Sequence, residues 1–217
     1  MEEGFNSRED EFNIHSFLLL GGYLVQTAYR SNTFIPEMVQ AAKKLAVENG
    51  FSNSCSDEVG RLLSVLAGQV RDGKILEIGT GYGVGCSWIL SAIAPTVEFI
   101  SVDNSKEKMD GVMNTLNHKQ VKFYLGDWKE VISKGPFQFI FADAAVAKIF
   151  EGELLFQVLD RGGLLLMDDF TPEEHFPEEW KGKPDSVREY WLNHEELIST
   201  EIYLTPRTSA ILATKRT

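Results

Sequence analysis

Three glycines and one acid give the strongest chemical signal in the chain. Lys74-Ile75-Leu76-Glu77-Ile78-Gly79-Thr80-Gly81-Tyr82-Gly83-Val84-Gly85 runs from a short apolar strand, through Glu77, into a glycine loop that opens a helix over about 83–94. Glycines in such a loop tolerate positive φ and carry no side chain, so backbone N–H groups can approach a ligand closely at the helix start. The dinucleotide spacing G-x-G-x-x-G is absent, because Val84 and Cys86 stand where its last glycine would fall. A carboxylate beside the loop disfavours a pyrophosphate and favours a ligand with cationic centres.

Three more apolar strands follow, and each leads into an acid. Phe99–Val102 ends at Asp103-Asn104, and an acid at that point of a doubly wound sheet can accept hydrogen bonds from ribose hydroxyls. Val121–Leu125 leads to Gly126-Asp127-Trp128, and Phe137–Ala142 leads to Asp143. Taken singly, each has a plainer role: Asp103 and Asp127 could cap the helices that follow them, and Trp128 could pack as well as stack on a ring. Taken in order, the four resemble the class I S-adenosylmethionine-dependent methyltransferases. The resemblance implies that Glu77, Gly79, Thr80, Gly81, Gly83, Asp103, Asn104, Gly126, Asp127, Trp128 and Asp143 bind that methyl donor. S-adenosylmethionine carries an ammonium and a sulfonium and no phosphate, which suits Glu77.

Within that class, Pro36 to Arg216 resembles the small cation-dependent O-methyltransferases of the catechol and caffeoyl-CoA type. The resemblance implies a Mg²⁺ or Mn²⁺ ion held by Asp143 and by the pair Asp168-Asp169, which follows the apolar run Gly162–Met167. Three carboxylates brought together repel one another unless a cation or protons neutralise them. The chain departs from the family twice. Asp169 stands where the family has asparagine, which keeps an oxygen ligand. Val146 stands where the family's Asp-x-x-Lys places a catalytic lysine, and the nearest lysine is Lys148. Two residues along a helix is a turn of ~200°, so Lys148 serves as the base only if the loop runs differently.

The expected activity is therefore methyl transfer from S-adenosylmethionine to an oxygen of a small-molecule acceptor, assisted by a divalent cation. Three alternatives stay open: a metal-independent methyltransferase acting on another atom or on an RNA base, a non-catalytic S-adenosylmethionine-binding module, and, third, a nicotinamide dehydrogenase. The family resemblance also implies a homodimer.

These residues need a scaffold that sets strand ends side by side. From Lys74 onward, strands alternate with helices expected over about 105–117, 128–134, 146–160 and 184–198, which implies a parallel sheet wound on both faces. Glu201–Leu204 and Ala210–Ala213, joined by Thr205–Ser209, read as a closing antiparallel hairpin. The expected fold is α/β: a Rossmann-like, seven-stranded, mostly parallel sheet with that C-terminal hairpin, in one domain over 1–217 with its core over 74–217. Residues 1–70 are expected to be helical, with a helix over 14–28, one begun by Pro36 and stopped at Asn49-Gly50, and one capped by Ser56. Residues 14–50 are expected to form a lid at the methyl end of the ligand.

Composition narrows the partners. The 217 residues, 43% of them hydrophobic, suffice for one well-buried core. A net charge of −11 argues against nucleic acid, since such proteins present a basic face. Two cysteines, Cys55 and Cys86, form no disulfide framework, and the apolar stretch Phe17–Val25 holds Gly21-Gly22 after an acidic segment. The expectation is a cytoplasmic protein without a membrane span.

Overall fold

The structure is a computed structural model that describes residues 34–217. The expected helix over 14–28, and the lid as far as residue 33, lie outside the described residues. Ile35–Thr217 is one compact unit.

Two helices precede the sheet. Helix α1 (Glu37–Glu48) follows Pro36, whose fixed φ suits a helix start, and it stops at Asn49-Gly50, where Gly50 takes φ 64°. Helix α2 (Asp57–Ala67) is capped by the Ser56 hydroxyl, which accepts from the Val59 N–H at 3.2 Å. The helix packs closely enough on its neighbour that a methyl group added at Gly60 would lie 2.1 Å from the Trp88 indole nitrogen.

The sheet has seven strands: β1 (Gly73–Ile78), β2 (Val97–Asp103), β3 (Val121–Leu125), β4 (Phe137–Ala142), β5 (Leu159–Phe170), β6 (Leu197–Tyr203) and β7 (Ser209–Lys215). They lie in the order β3-β2-β1-β4-β5-β7-β6, with β7 antiparallel to both of its neighbours and the remaining pairs parallel. This is the expected Rossmann-like sheet with its C-terminal hairpin, although β6 begins at Leu197, earlier than the local pattern indicated.

Strand residues alternate between two apolar layers because successive side chains point to opposite faces. Ile75, Phe99, Phe139, Phe141 and Leu166 pack against α1, α2 and α3 (Val84–Leu90) and against α4 (Lys106–Thr115). Leu76, Ile78, Ile100, Ile140 and Leu165 pack on the other face with Trp128, Leu155 and Trp191.

The segment read as one helix over 146–160 is two. Helix α5 (Ala145–Ile149) ends at Phe150, and α6 (Gly152–Val158) starts after Glu151, whose φ of −124° and ψ of 25° break the helical path. Strand β5 then begins at Leu159, before the glycine pair that opens the apolar run Gly162–Met167. Apolar spacing alone did not reveal this break, because Phe150 and Glu151 are both acceptable inside a helix. The expected helix over 184–198 is likewise shorter, α7 spanning Ser186–Asn193, since Leu197 is drawn into the sheet beside Lys215.

Candidate active site

The ends of β1, β2, β3 and β4 border a cavity of about 610 Å³, at the carboxyl edge where open α/β sheets hold ligands. The glycine loop after β1 is its floor. Gly79, Gly81 and Gly83 take φ of 101°, 53° and 82°, a region closed to most side-chain-bearing residues. Thr80, Gly79 and Gly81 line the cavity. Gly83 caps α3 and turns away from the cavity, and a methyl group there would meet Leu116 at 2.8 Å.

Glu77 has no exposed surface. Its neighbour across the β1–β2 pairing is Ser101, whose hydroxyl donates to Glu77 Oε2 at 2.5 Å and contacts Thr80 Oγ1 at 2.6 Å. The other oxygen, Oε1, is buried without a partner. Burial pushes the Glu77 carboxyl well above the usual carboxylate range, opposed by the Ser101 hydrogen bond and reinforced by the charges of Asp143 and Asp103. An unpaired buried carboxylate oxygen at the cavity floor is a receptor for an ammonium group. Gly85 leaves room for it: an added methyl group would sit 2.6 Å from Glu77 Oε1 and 3.0 Å from the Phe141 ring. Gly85→Ala is expected to lower stability by about 1–3 kcal/mol through this overpacking. Urea unfolding of the two proteins checks it, and an unchanged midpoint would show that Glu77 moves aside freely.

Asp103 ends β2 with both oxygens in use: Oδ2 accepts from the Gly81 N–H at 2.9 Å and Oδ1 from the Ser105 N–H at 2.8 Å. The cap of α4 is Ser105. Each Asp103 oxygen keeps a second lone pair, so the carboxylate ties the glycine loop to β2 and can still accept from a ligand. Asn104 and Gly126 also line the cavity.

Asp127 does cap the short 3₁₀ helix Trp128–Lys134, accepting from the Lys129 N–H at 2.9 Å, and this bond holds its carboxyl below the ordinary range. Trp128 is 3% exposed and borders the cavity, so it both packs and faces the cavity.

At the opposite end stand the acids. One ligating oxygen from each of Asp143, Asp168 and Asp169 lies within 4.8 Å of the other two. The β5–β7 register shifts between Met167 and Phe170, and Asp169 takes φ 62°. This bulge and the left-handed turn bring two successive carboxylates to the same site, where a regular strand would point them to opposite faces. Burial, then the charges of Asp169 and Asp168, push Asp143 up to about 7; burial first, with Asp169, pushes Asp168 up to about 6. All three offer hard carboxylate oxygens, the donor set that suits Mg²⁺ or Mn²⁺.

The lysine next to this cluster does not face the cavity. Val146 does, while Lys148, the turn of ~200° away that helix geometry demands, is 7% exposed. Its ammonium donates to the Asp168 main-chain oxygen at 2.5 Å, and Trp191 Nε1 donates to the Lys148 main-chain oxygen at 3.0 Å. In this arrangement Lys148 supports the Asp168-Asp169 turn. A proton-accepting role at the cavity would require it to leave that bond.

Sequence reading missed several lining residues. Phe51, Ser54 and Cys55, in the loop between α1 and α2, form one wall, with the Ser54 hydroxyl oxygen buried and without a partner. Burial pushes the Cys55 thiol well up, keeping it neutral. Glu151 borders the cavity from the helix break. No local motif marks these positions, because a loop and a helix break take part only through their place in space.

Comparison with known proteins agrees with this geometry. Residues 76–170 match a family model described as a methyltransferase domain. A protein-L-isoaspartate O-methyltransferase of Shewanella denitrificans is 28% identical over 169 residues, 69% of this chain and 78% of that protein. The O-methyltransferase TomG of Streptomyces achromogenes, solved with S-adenosylmethionine, has a TM-score of 0.71 at 19% identity, covering 85% of this chain and 92% of its own. An O-methyltransferase of Bacillus cereus, solved with S-adenosylhomocysteine, has a TM-score of 0.71 at 18% identity, covering 86% and 96%. Among the described residues, no helix is long and apolar enough to cross a membrane.

Proposed function

We propose that this chain, a class I methyltransferase by its fold and by the methyltransferase domain over residues 76–170, transfers the methyl group of S-adenosylmethionine to an oxygen of a small-molecule acceptor. The observation that carries the reading is the buried, unpaired Oε1 of Glu77 beneath a cavity that Asp103 also borders. Glu77 would take the donor's ammonium and Asp103 its ribose hydroxyls, which orients the donor along the strand ends toward Asp143. When bound, the donor supplies an electrophilic methyl carbon on a sulfonium. The acceptor oxygen, its proton lost to solvent, would form the new C–O bond as the C–S bond breaks and the C–S electron pair passes to sulfur, leaving S-adenosylhomocysteine. The protein's work is alignment and exclusion of water.

Asp143, Asp168 and Asp169 would hold a divalent cation, which would lower the pKa of an acceptor hydroxyl beside it. The same three acids bear on the acceptor. The Shewanella denitrificans relative is named for protein L-isoaspartate, whose reacting oxygen belongs to a carboxylate. Three carboxylates around one divalent cation still leave a net negative charge, which repels a carboxylate acceptor but not a neutral hydroxyl, so the electrostatics favour a hydroxyl. Cys55 and Cys86 are both free, consistent with a reducing compartment, and we place the protein in the cytoplasm.

The test is calorimetry of the wild-type protein with S-adenosylmethionine, S-adenosylhomocysteine and NAD in turn, with and without Mg²⁺. Binding of both sulfur nucleosides and none of NAD is expected. Tight NAD binding with no response to S-adenosylhomocysteine would sink the reading.

A further inference from the structure

The break between α5 and α6 sets one carboxylate where no helix needs it. Glu151 occupies the position before α6, yet its side chain makes no hydrogen bond to that helix's own N–H groups. Both oxygens reach instead to the segment after β3. Oε2 accepts from the Trp128 indole N–H at 2.5 Å, and Oε1 accepts from the Lys129 ammonium at 2.5 Å. The Glu151 side chain is 17% exposed and borders the cavity, so the bond from the buried Trp128 indole is sheltered and charge-assisted, while the Lys129 ammonium, 44% exposed, reaches the carboxylate from the solvent side. Had the segment 146–160 stayed one helix, this carboxylate would not have been released from the helical path.

The strand order gives the bond its meaning. β3 lies next to β2 on the side away from β1, so a nucleoside whose ribose sits at Asp103 extends beyond β2 toward the residues that follow β3. Trp128 is the aromatic side chain there; packing holds its ring, 3% exposed, and a hydrogen bond at its N–H fixes the orientation the packed indole takes. We infer that Glu151 is a positioning residue for nucleoside recognition, locking the Trp128 indole as one wall of the base-binding end of the cavity. The inference rests on the S-adenosylmethionine reading above. Glu151 makes its contribution through Trp128, and the ion pair with Lys129 holds the carboxylate in place.

The test is the dissociation constant of S-adenosylhomocysteine for five proteins: wild type, Glu151→Ala, Glu151→Gln, Trp128→Phe and the double variant Trp128→Phe/Glu151→Ala. Glu151→Ala is expected to weaken binding on the order of tenfold, for the loss of one charge-assisted bond and the ordering it supplies. Glu151→Gln retains a carbonyl oxygen that can accept from the indole, so it should recover most of that loss. In the Trp128→Phe background, which has no N–H to hold, Glu151→Ala should have little further effect. If Glu151→Ala does not fold, Glu151→Met removes the acceptor while filling its volume and takes its place in the comparison. A merely structural Glu151 would give equal losses with and without the indole, and that additivity would overturn the inference, as would wild-type affinity in Glu151→Ala. Failure of the wild-type protein itself to bind S-adenosylhomocysteine would instead overturn the functional reading, and this inference with it.

Discussion

Asp103→Ala is expected to weaken binding of S-adenosylhomocysteine by about 30-fold to 1000-fold, equivalent to roughly 2–4 kcal/mol. Two bonds from ribose hydroxyls to a carboxylate account for most of this. The structure adds a second contribution, since the same carboxylate accepts from the Gly81 N–H and holds the glycine loop against the end of β2. Asp103→Asn separates the two: its one carbonyl oxygen keeps two lone pairs, enough for the Gly81 N–H and one ribose hydroxyl but without the charge, so an intermediate affinity is expected. Titration calorimetry reads both variants. An Asp103→Ala protein that binds as tightly as wild type would reduce Asp103 to a loop anchor.

Millimolar Mg²⁺ or Mn²⁺ should raise the melting temperature, and Asp168→Asn/Asp169→Asn together should abolish the rise. At a cation concentration 100 times the dissociation constant the gain is about 2.7 kcal/mol, or roughly 5–10 °C for a chain of this length. The pH dependence follows from the raised carboxyls of Asp143 and Asp168. The native protein keeps protons that the unfolded chain has already released above its ordinary carboxylate pKa. The contribution of this pair to stability is thus fully present below about pH 4 and is lost as pH rises through about 6 and 7. A bound cation stabilises the ionised acids, so the metal-induced rise should be small at about pH 5 and larger at about pH 7.5. Identical melting curves under chelator and under millimolar metal at both pH values would remove the metal from the mechanism and favour metal-independent methyl transfer.

The strand-and-acid series was legible because each of its parts is local. Four short apolar runs, each closed by a residue of definite chemistry, need only period-two burial and a following turn, and those are written in neighbouring residues. Ser56 as a helix cap, the glycine loop and the closing hairpin belong to the same kind of signal, whereas the cap of α4 is Ser105 and not Asp103. The capping role of Asp127 was one of two open readings, and the structure shows it operating beside the cavity.

The site's finer chemistry depends on residues far apart in the chain. Glu77 meets Ser101 because β1 and β2 are in a particular register, and Glu151 meets Trp128 because a helix breaks at Phe150. Lys148 is two positions from Val146, a separation that means nothing until α5 is seated and one of them faces the cavity while the other turns to the Asp168 main chain. The sequence by itself determined the sheet, the ligand edge and the residue types that gather there, through short-range pattern and turn chemistry. Only the tertiary structure decided which side chains point into the cavity, which are engaged by their neighbours and which buried oxygen is left without a partner, because those outcomes follow from register, bulge and helix packing summed over the whole fold.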